Sequence, residues 1–153
     1  MVTGNEKNTQ QLAGFPAARE DARIKSMMVI EVPVADTRRA IEFYAGHLGF
    51  YIDLKKNPPS IWDTETEFFI YPASGIKIML QKTDGNERLG FTLKGEPKPF
   101  LIMEIDEPAE AVRNRLYENG VRVGELFDHG GCGTVFTVWD PDGNMLKLNY
   151  QPK

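Results

Sequence analysis

The sequence predicts a single α+β domain built from two copies of one β-α-β-β-β unit. Residues 27–50 and 98–121 follow the same plan of strand, acidic helix start, helix and glycine exit, at an offset of 71 residues (98 minus 27). Segments that alternate apolar and polar residues with the period of a strand supply a sheet for both helices. A chain of 153 residues with 41% hydrophobic residues suffices for one core and is short for two independent domains.

Each predicted helix has a start signal, an apolar stripe and a stop signal. In the first copy Asp36 suits an N-cap, because a short carboxylate accepts hydrogen bonds from free backbone N–H groups. Apolar residues then recur at helical spacing up to Gly49: Ala40, Ile41, Tyr44 and Leu48. The second copy has Glu107 in the place of Asp36, and Pro108 suits the first helical position. Its apolar stripe runs up to the exit at Gly120: Ala109, Val112 and Leu116.

Four strands have two faces of different character. The apolar face is predicted to pack on the helices and comprises Ile30, Val32, Ile76, Ile78, Leu80, Leu101, Met103, Ile105, Leu146, Leu148 and Tyr150. The opposite face mixes charge with scattered apolar groups, which is typical of a wet or ligand-filled concavity rather than a second core. That face comprises Val29, Glu31, Lys77, Met79, Gln81, Phe100, Ile102, Glu104, Met145, Lys147 and Asn149.

The remaining elements follow from shorter patterns. Further strands are predicted at 50–55, 67–71, 121–127 and 134–139, and the glycine- and proline-rich segment 82–99 is predicted to link the copies. The two modules then span about 27–82 and 98–151. Residues 1–25 are polar and lack the apolar stretch of a signal peptide, so they are predicted to form an arm that is partly disordered or docked on a partner subunit.

Composition excludes several functional classes. The net charge of -4 comes from mixed charges without like-charge blocks, so neither nucleic acid nor a membrane surface is an expected partner. Cys132 is the only cysteine, which rules out a disulfide within the chain and a Cys-x-x-Cys motif. These features predict a cytoplasmic protein.

Two motifs carry a family resemblance. Residues 34–36, followed by Ala40, the pair at 43–44 and the triplet at 48–50, precede the run Trp-Asp-Pro-Asp-Gly-Asn at 139–144. In this order and around an internal duplication, they resemble the vicinal oxygen chelate superfamily, which contains glyoxalase I, extradiol dioxygenases, thiol-transferring fosfomycin-resistance enzymes and bleomycin-binding proteins. The resemblance implies two modules that form a curved mixed sheet around a cavity. It also implies a homodimer, since two subunits often share the binding clefts in the bleomycin-resistance branch.

The resemblance also implies where a catalytic metal would bind. In the metal enzymes of the family, the first and last strand of each module supply histidine, glutamine or glutamate ligands to a divalent ion. The matching positions here are Val29, Met79, Phe100 and Lys147. Valine and phenylalanine cannot ligate, methionine is a poor ligand for hard ions, and lysine repels a cation. We therefore expect no metal and no other cofactor. Glu31 and Glu104 alone would not rebuild the site.

The remaining candidates each have two interpretations. Lys147 either anchors an anionic ligand in the cavity, or it pairs with Glu31 or Glu104 or extends its ammonium to solvent. His129, in the glycine-rich loop 128–133, either presents its imidazole to a ligand or belongs to an exposed loop. Three aromatic residues either stack on a planar ligand or pack against the sheet: Trp62, Phe69 and Tyr71. Lys77 and Asn149 complete the predicted cavity.

Three functions remain open at this point. The leading prediction is metal-free binding or sequestration of a small molecule, an antibiotic or a metabolite, without a reaction. The first alternative is a metal-dependent lyase, dioxygenase or thiol transferase of the same superfamily, or an enzyme that uses Glu31, Glu104 and Lys147 in acid-base chemistry. The second alternative is a regulatory module that docks a partner through residues 1–25.

Overall fold

The computed structural model describes residues 24–152, so nearly all of the predicted arm lies outside the described residues. The chain is α+β, as predicted. The first sheet contains β1 (Val29–Val34), β2 (Glu67–Ile70) and β3 (Lys77–Lys82) in the order β1-β3-β2. The second contains β6 (Leu101–Glu104), β7 (Phe127–Asp128), β8 (Thr134–Trp139) and β9 (Met145–Tyr150) in the order β6-β9-β8-β7.

The internal repeat is visible in the strand pairing. β1 runs parallel to β3, and β6 runs parallel to β9, so in each sheet the first strand of the unit lies beside the last. The inner partners are antiparallel, with β2 on β3 and β8 on β9. Strands β1 and β6 therefore occupy equivalent positions, and each is one of the two outermost strands of its own sheet.

Both helices form where they are predicted, with differences at their ends. Helix α1 (Thr37–Ile41) begins after Asp36, whose carboxylate accepts a hydrogen bond from the backbone N–H of Arg39 at 3.1 Å. It continues as one wider π-helical turn, Glu42–His47, that the sequence pattern did not indicate. Helix α2 (Ala109–Glu118) places Pro108 at the N-cap and not at the first helical position.

One core joins the two modules. The predicted apolar face is buried on both sheets, as Val32, Ile78, Leu80, Leu146 and Leu148 each expose 2% or less of their surface. The buried side chains of both helices belong to the same cluster: Ala40, Ile41, Tyr44, Ala109, Val112 and Leu116. The helices and the two sheets thus share a single apolar interior, which leaves the opposite sheet faces free for other uses.

A buried polar network fastens the modules to each other. The Tyr44 hydroxyl of the first module donates to a carboxylate oxygen of Asp140 at 2.8 Å, across 96 residues of chain. The side-chain amide of Asn144 donates to the same carboxylate at 2.7 Å and to the backbone carbonyl of Pro33 at 3.0 Å. Asp140 and Asn144 belong to the Asp-Pro-Asp-Gly-Asn turn, which therefore holds the start of the first module in place.

Three predicted segments differ from the structure. The predicted linker 82–99 contains a hairpin of β4 (Phe91–Leu93) and β5 (Glu96–Lys98). Its two-residue turn has positive φ at Lys94 (51°) and Gly95 (82°), a geometry that matches the twist of a hairpin. The predicted strand at 50–55 is reduced to one isolated bridge, between Tyr51 and Tyr71. The predicted strand at 121–127 is reduced to a bridge between Val123 and Val138, and β7 begins at its last residue.

Within the described residues, no helix has the length and apolar character needed to cross a membrane.

Candidate functional site

The first candidate site is an aromatic hollow beside the first sheet. This N-terminal hollow has a volume of about 530 Å³ and is lined by Tyr51, Asp53, Lys56, Asn57, Phe69 and Tyr71. The bridge between Tyr51 and Tyr71 brings their rings to 6.3 Å between centroids. All three aromatic rings are exposed, Tyr51 by 62%. Exposed rings around a concave surface are what a planar or apolar ligand requires.

Polar groups stand around these rings. The ammonium of Lys77 lies 4.9 Å from the centre of the Phe69 ring, within the range of a cation-π interaction. Asp53 turns the chain at the other side, because its carboxylate accepts hydrogen bonds from the backbone N–H groups of Lys55 and Lys56 at 3.0 and 3.3 Å. This local turn competes with extended structure, which explains why the predicted strand at 50–55 stops early.

The second candidate site is a smaller hollow on the second sheet. This C-terminal hollow has a volume of about 250 Å³ and is lined by Pro97, Lys98, Pro99, Phe127, His129, Val135, Phe136, Thr137, Met145 and Lys147. Lys147 lies on β9 between Ile102 of β6 and Thr137 of β8. Residues paired across neighbouring strands point to the same side of a sheet, so Thr137 and Lys147 face the hollow together.

Lys147 is partly buried and has no salt bridge among the described residues. The predicted pairing with Glu31 or Glu104 is therefore absent from the structure. Glu104 pairs with Asn149, which lies two residues along β9 from Lys147.

The glycine-rich loop brings His129 to the same hollow. The backbone N–H of His129 donates to the carbonyl of Gly133 at 2.8 Å, which closes the loop around a short helical turn, Gly130–Cys132. Gly133 has a φ of 102° and lies against β9, where an added Cβ would come within 2.4 Å of the Tyr150 carbonyl oxygen. Only glycine fits this position, because the loop backbone packs directly against the strand that carries Lys147.

Family comparisons agree with this duplicated architecture. Residues 24–148 match the family model described as Glyoxalase/Bleomycin resistance protein/Dioxygenase superfamily. The chain belongs to this superfamily. No curated protein sequence matches the chain.

Solved structures of the superfamily share the fold of this member at low sequence identity. An antibiotic binding protein, TnmS3, from Streptomyces sp. CB03234 is 24% identical over 84% of this chain and 98% of its own, with a TM-score of 0.61. A glyoxalase/dioxygenase from Nostoc punctiforme is 15% identical over 91% and 99% of the two chains, with a TM-score of 0.67. The fosfomycin resistance protein FosX from Listeria monocytogenes is 15% identical over 85% and 96%, with a TM-score of 0.65.

At the four positions to which the family resemblance assigns metal ligands, the residues of this chain do not fit a divalent ion. Val29 is apolar, and Met79 is 92% buried and offers only a thioether. Phe100 packs against the core, and Lys147 is a cation. Among residues 24–152, no group of three or more His, Cys, Asp or Glu side chains is arranged to hold a metal ion.

Several other predicted site residues lie outside both hollows. Trp62 and Phe100 line neither hollow, because both pack against the core. The indole N–H of Trp62 donates to the Asn57 carbonyl at 2.9 Å, and its backbone carbonyl accepts a hydrogen bond from the Thr37 hydroxyl. Trp62 thus anchors the loop to helix α1, which agrees with the packing interpretation.

Glu31, Met79, Glu104 and Asn149 lie on the predicted sheet faces but outside the lining of both hollows. Glu31 pairs with Met79 across β1 and β3 and has no salt bridge among the residues that the structure describes. The Oδ1 atom of Asn149 is buried under Gly133 and has no hydrogen-bond partner in the described part of the chain.

Sequence reasoning missed Tyr51 and Lys98. Tyr51 lies in a segment predicted as a strand, where its alternation with the buried Ile52 was the available signal. Lys98 lies in the predicted linker, and the Lys-Gly turn of the hairpin was the signal that would have placed it beside the second sheet.

Proposed function

We propose that this protein binds a small molecule, an antibiotic or a metabolite, and holds it without a catalytic metal. The observation that carries this proposal is the N-terminal hollow, in which Tyr51, Phe69 and Tyr71 expose their rings around about 530 Å³. Exposed aromatic clusters in a concave surface mark ligand sites more often than they mark ordinary surface. The volume lies within the range of about 300–1,000 Å³ that suits drug-sized ligands.

We propose binding without a metal because of the residue types at the four positions where the family resemblance places metal ligands. A hard divalent ion needs carboxylate, imidazole or amide ligands in a fixed geometry. The four positions that would provide them hold Val29, Met79, Phe100 and Lys147. A structural neighbour described as an antibiotic binding protein supports a binding role by analogy of fold.

The protein is also proposed to act as a cytoplasmic homodimer. β1 and β6 are outermost strands, and large apolar side chains stand exposed on or beside them: Met27, Met28, Val29 and Ile102. Unpaired strand edges with apolar side chains are covered in native proteins. We propose that a second copy of the chain covers these exposed side chains.

The test is a ligand screen with a chelator present. Full-length protein is melted against a panel of antibiotics and aromatic metabolites in EDTA, and each stabilising compound is titrated by calorimetry. We expect Tyr71→Ala to weaken binding at least about tenfold, because stacking on an aromatic ring contributes one or more kcal/mol. Tyr117→Ala, which removes an exposed aromatic residue from helix α2, is the matched control and leaves the affinity unchanged.

Two results would contradict the proposal. Binding that disappears in EDTA and returns with nickel, zinc, iron or manganese would favour the metal-dependent lyase, dioxygenase or transferase. Turnover of a bound compound that Glu31→Gln or Lys147→Met abolishes would favour acid-base catalysis.

A further inference from the structure

We propose that the C-terminal hollow binds the anionic group of a compact amphipathic ligand, such as a carboxylate, sulfonate or phosphate monoester. This inference rests on the proposed binding function and specifies the chemical class that one of the two hollows accepts. The N-terminal hollow has Lys56 and Asp53 in its lining and therefore has no uniform charge.

The formally charged side chains in the lining of the C-terminal hollow are both lysines. Lys98, His129 and Lys147 line it, and no aspartate or glutamate does. The carboxylate of Glu96 lies 3.7 Å from the Lys98 ammonium, but it is 77% exposed and stands outside the lining. An exposed pair at this distance leaves most of the Lys98 charge available.

Lys147 supplies the fixed charge of the site. It projects from the middle of β9, which is hydrogen-bonded on both sides, so its Cα cannot move away from the hollow. The Lys147 side chain is partly buried and has no salt bridge among the described residues. A ligand anion would supply the missing partner, and Thr137 beside Lys147 offers a hydroxyl donor to the same group.

The rest of the lining is apolar and rigid. Phe127, Val135 and Met145 offer apolar side chains, while Pro97 and Pro99 have fixed φ angles. A hollow of about 250 Å³ is smaller than a typical drug site, which limits the apolar part of the ligand to about one or two rings. Charge and shape together select a small acid with one apolar end.

The experiment uses two probes of equal shape and different charge, naphthalene-2-sulfonate and naphthalene-2-sulfonamide. Both are titrated into the full-length protein by calorimetry at low salt. We expect the sulfonate to bind at least about tenfold more tightly than the neutral sulfonamide, because a charge-assisted hydrogen bond to lysine is stronger than a neutral one. Lys147→Gln should remove that preference and leave the sulfonamide affinity within about twofold.

Two further variants make the result interpretable. Lys98→Gln should reduce the sulfonate affinity by about threefold, since the Lys98 ammonium already has the carboxylate of Glu96 nearby. Lys94→Gln removes the same charge from the tip of the same hairpin, outside the hollow, and should change neither affinity. Thermal melting of each variant establishes that it is folded.

Equal affinities of the two probes, unchanged in Lys147→Gln, would overturn the anion assignment and leave the small-molecule binding function standing. Binding of neither probe would overturn the assignment as well, while the Tyr71→Ala titration decides the proposed function separately.

Discussion

At the scale of single residues, Tyr44 and Asp140 are two buried, hydrogen-bonded groups whose pKa values are shifted. Burial raises the pKa of Tyr44 well above its usual value, and the neighbouring Asp140 carboxylate adds to the effect. Burial also raises the pKa of Asp140, although hydrogen bonds from Asn144 and Tyr44 oppose the change. Neither residue lines a hollow. These perturbed pKa values therefore belong to the junction of the two modules and not to a candidate site.

We predict that Tyr44→Phe destabilises the protein by about 2 kcal/mol at neutral pH, because it removes a buried hydrogen bond to a carboxylate. The folded-state pKa of Tyr44 is raised, so the contribution is fully present below the unfolded pKa of about 10 and is lost as pH rises through the folded value. The difference in unfolding free energy between wild type and Tyr44→Phe should thus narrow above about pH 10. Urea unfolding of both proteins from pH 7 to 11 measures it, and a constant difference would contradict the assignment.

The sequence predicted individual site residues only in part. Strand periodicity assigned Lys147 to the sheet face opposite the helices, and Lys147 lines the C-terminal hollow. Phe69 was named only as an aromatic residue that either stacks on a ligand or packs against the sheet, and it lines the N-terminal hollow. The predicted site also included Trp62 and Phe100, which the structure packs against the core. A large aromatic residue can either stack on a ligand or pack in the core, and only its neighbours in the folded structure show which it does.

At the scale of elements, the glycine-rich loop 128–133 shapes the C-terminal hollow. An added Cβ on Gly133 would lie 2.8 Å from the Asn149 side-chain oxygen and 2.4 Å from the Tyr150 carbonyl oxygen. Gly131, two residues earlier, has no atom within 4 Å of its virtual Cβ. The loop thus offers a tight glycine and an open one for comparison.

Gly133→Ala should cost about 3 kcal/mol of stability, because it combines a strained φ with overlap against β9. It should also displace His129 and weaken sulfonate binding. Gly131→Ala, as the control, should change the stability by less than about 0.5 kcal/mol. Chemical unfolding and the calorimetric titration measure both effects, and equal behaviour of the two variants would show that the loop does not rest on β9 as described.

Regular elements were more predictable from the sequence than their connections. β8 matches its predicted range because Thr134–Trp139 is rich in β-branched and aromatic residues and is bounded by glycine and a tight turn. The hairpin of β4 and β5 was missed, since Phe91 and Leu93 are exposed and pack against no core that would impose an alternating pattern. The π-helical turn at Glu42–His47 has no sequence signal that we can identify.

At the scale of the whole molecule, the duplication explains both the shared core and the two free edges. Each module buries its helix against the same interior and leaves its first strand unpaired on one side. The sequence repeat at an offset of 71 residues predicted this equivalence of β1 and β6. It did not predict how the modules are joined, since the Tyr44 to Asp140 hydrogen bond connects residues that no local pattern relates.

The free edges lead to a prediction about assembly. Ile102 on β6 is 62% exposed beside Lys147, and a second copy that covers β6 would bury it. Wild-type protein should therefore elute as a dimer, and Ile102→Lys should shift it to a monomer, because a buried unpaired charge at an interface costs several kcal/mol. Tyr117→Lys, which places the same charge on an equally exposed apolar position of helix α2, should remain a dimer. Gel filtration with light scattering measures the mass of all three. A monomeric wild type, or a dimer that Ile102→Lys leaves intact, would show that the outer strands β1 and β6 are tolerated as exposed edges.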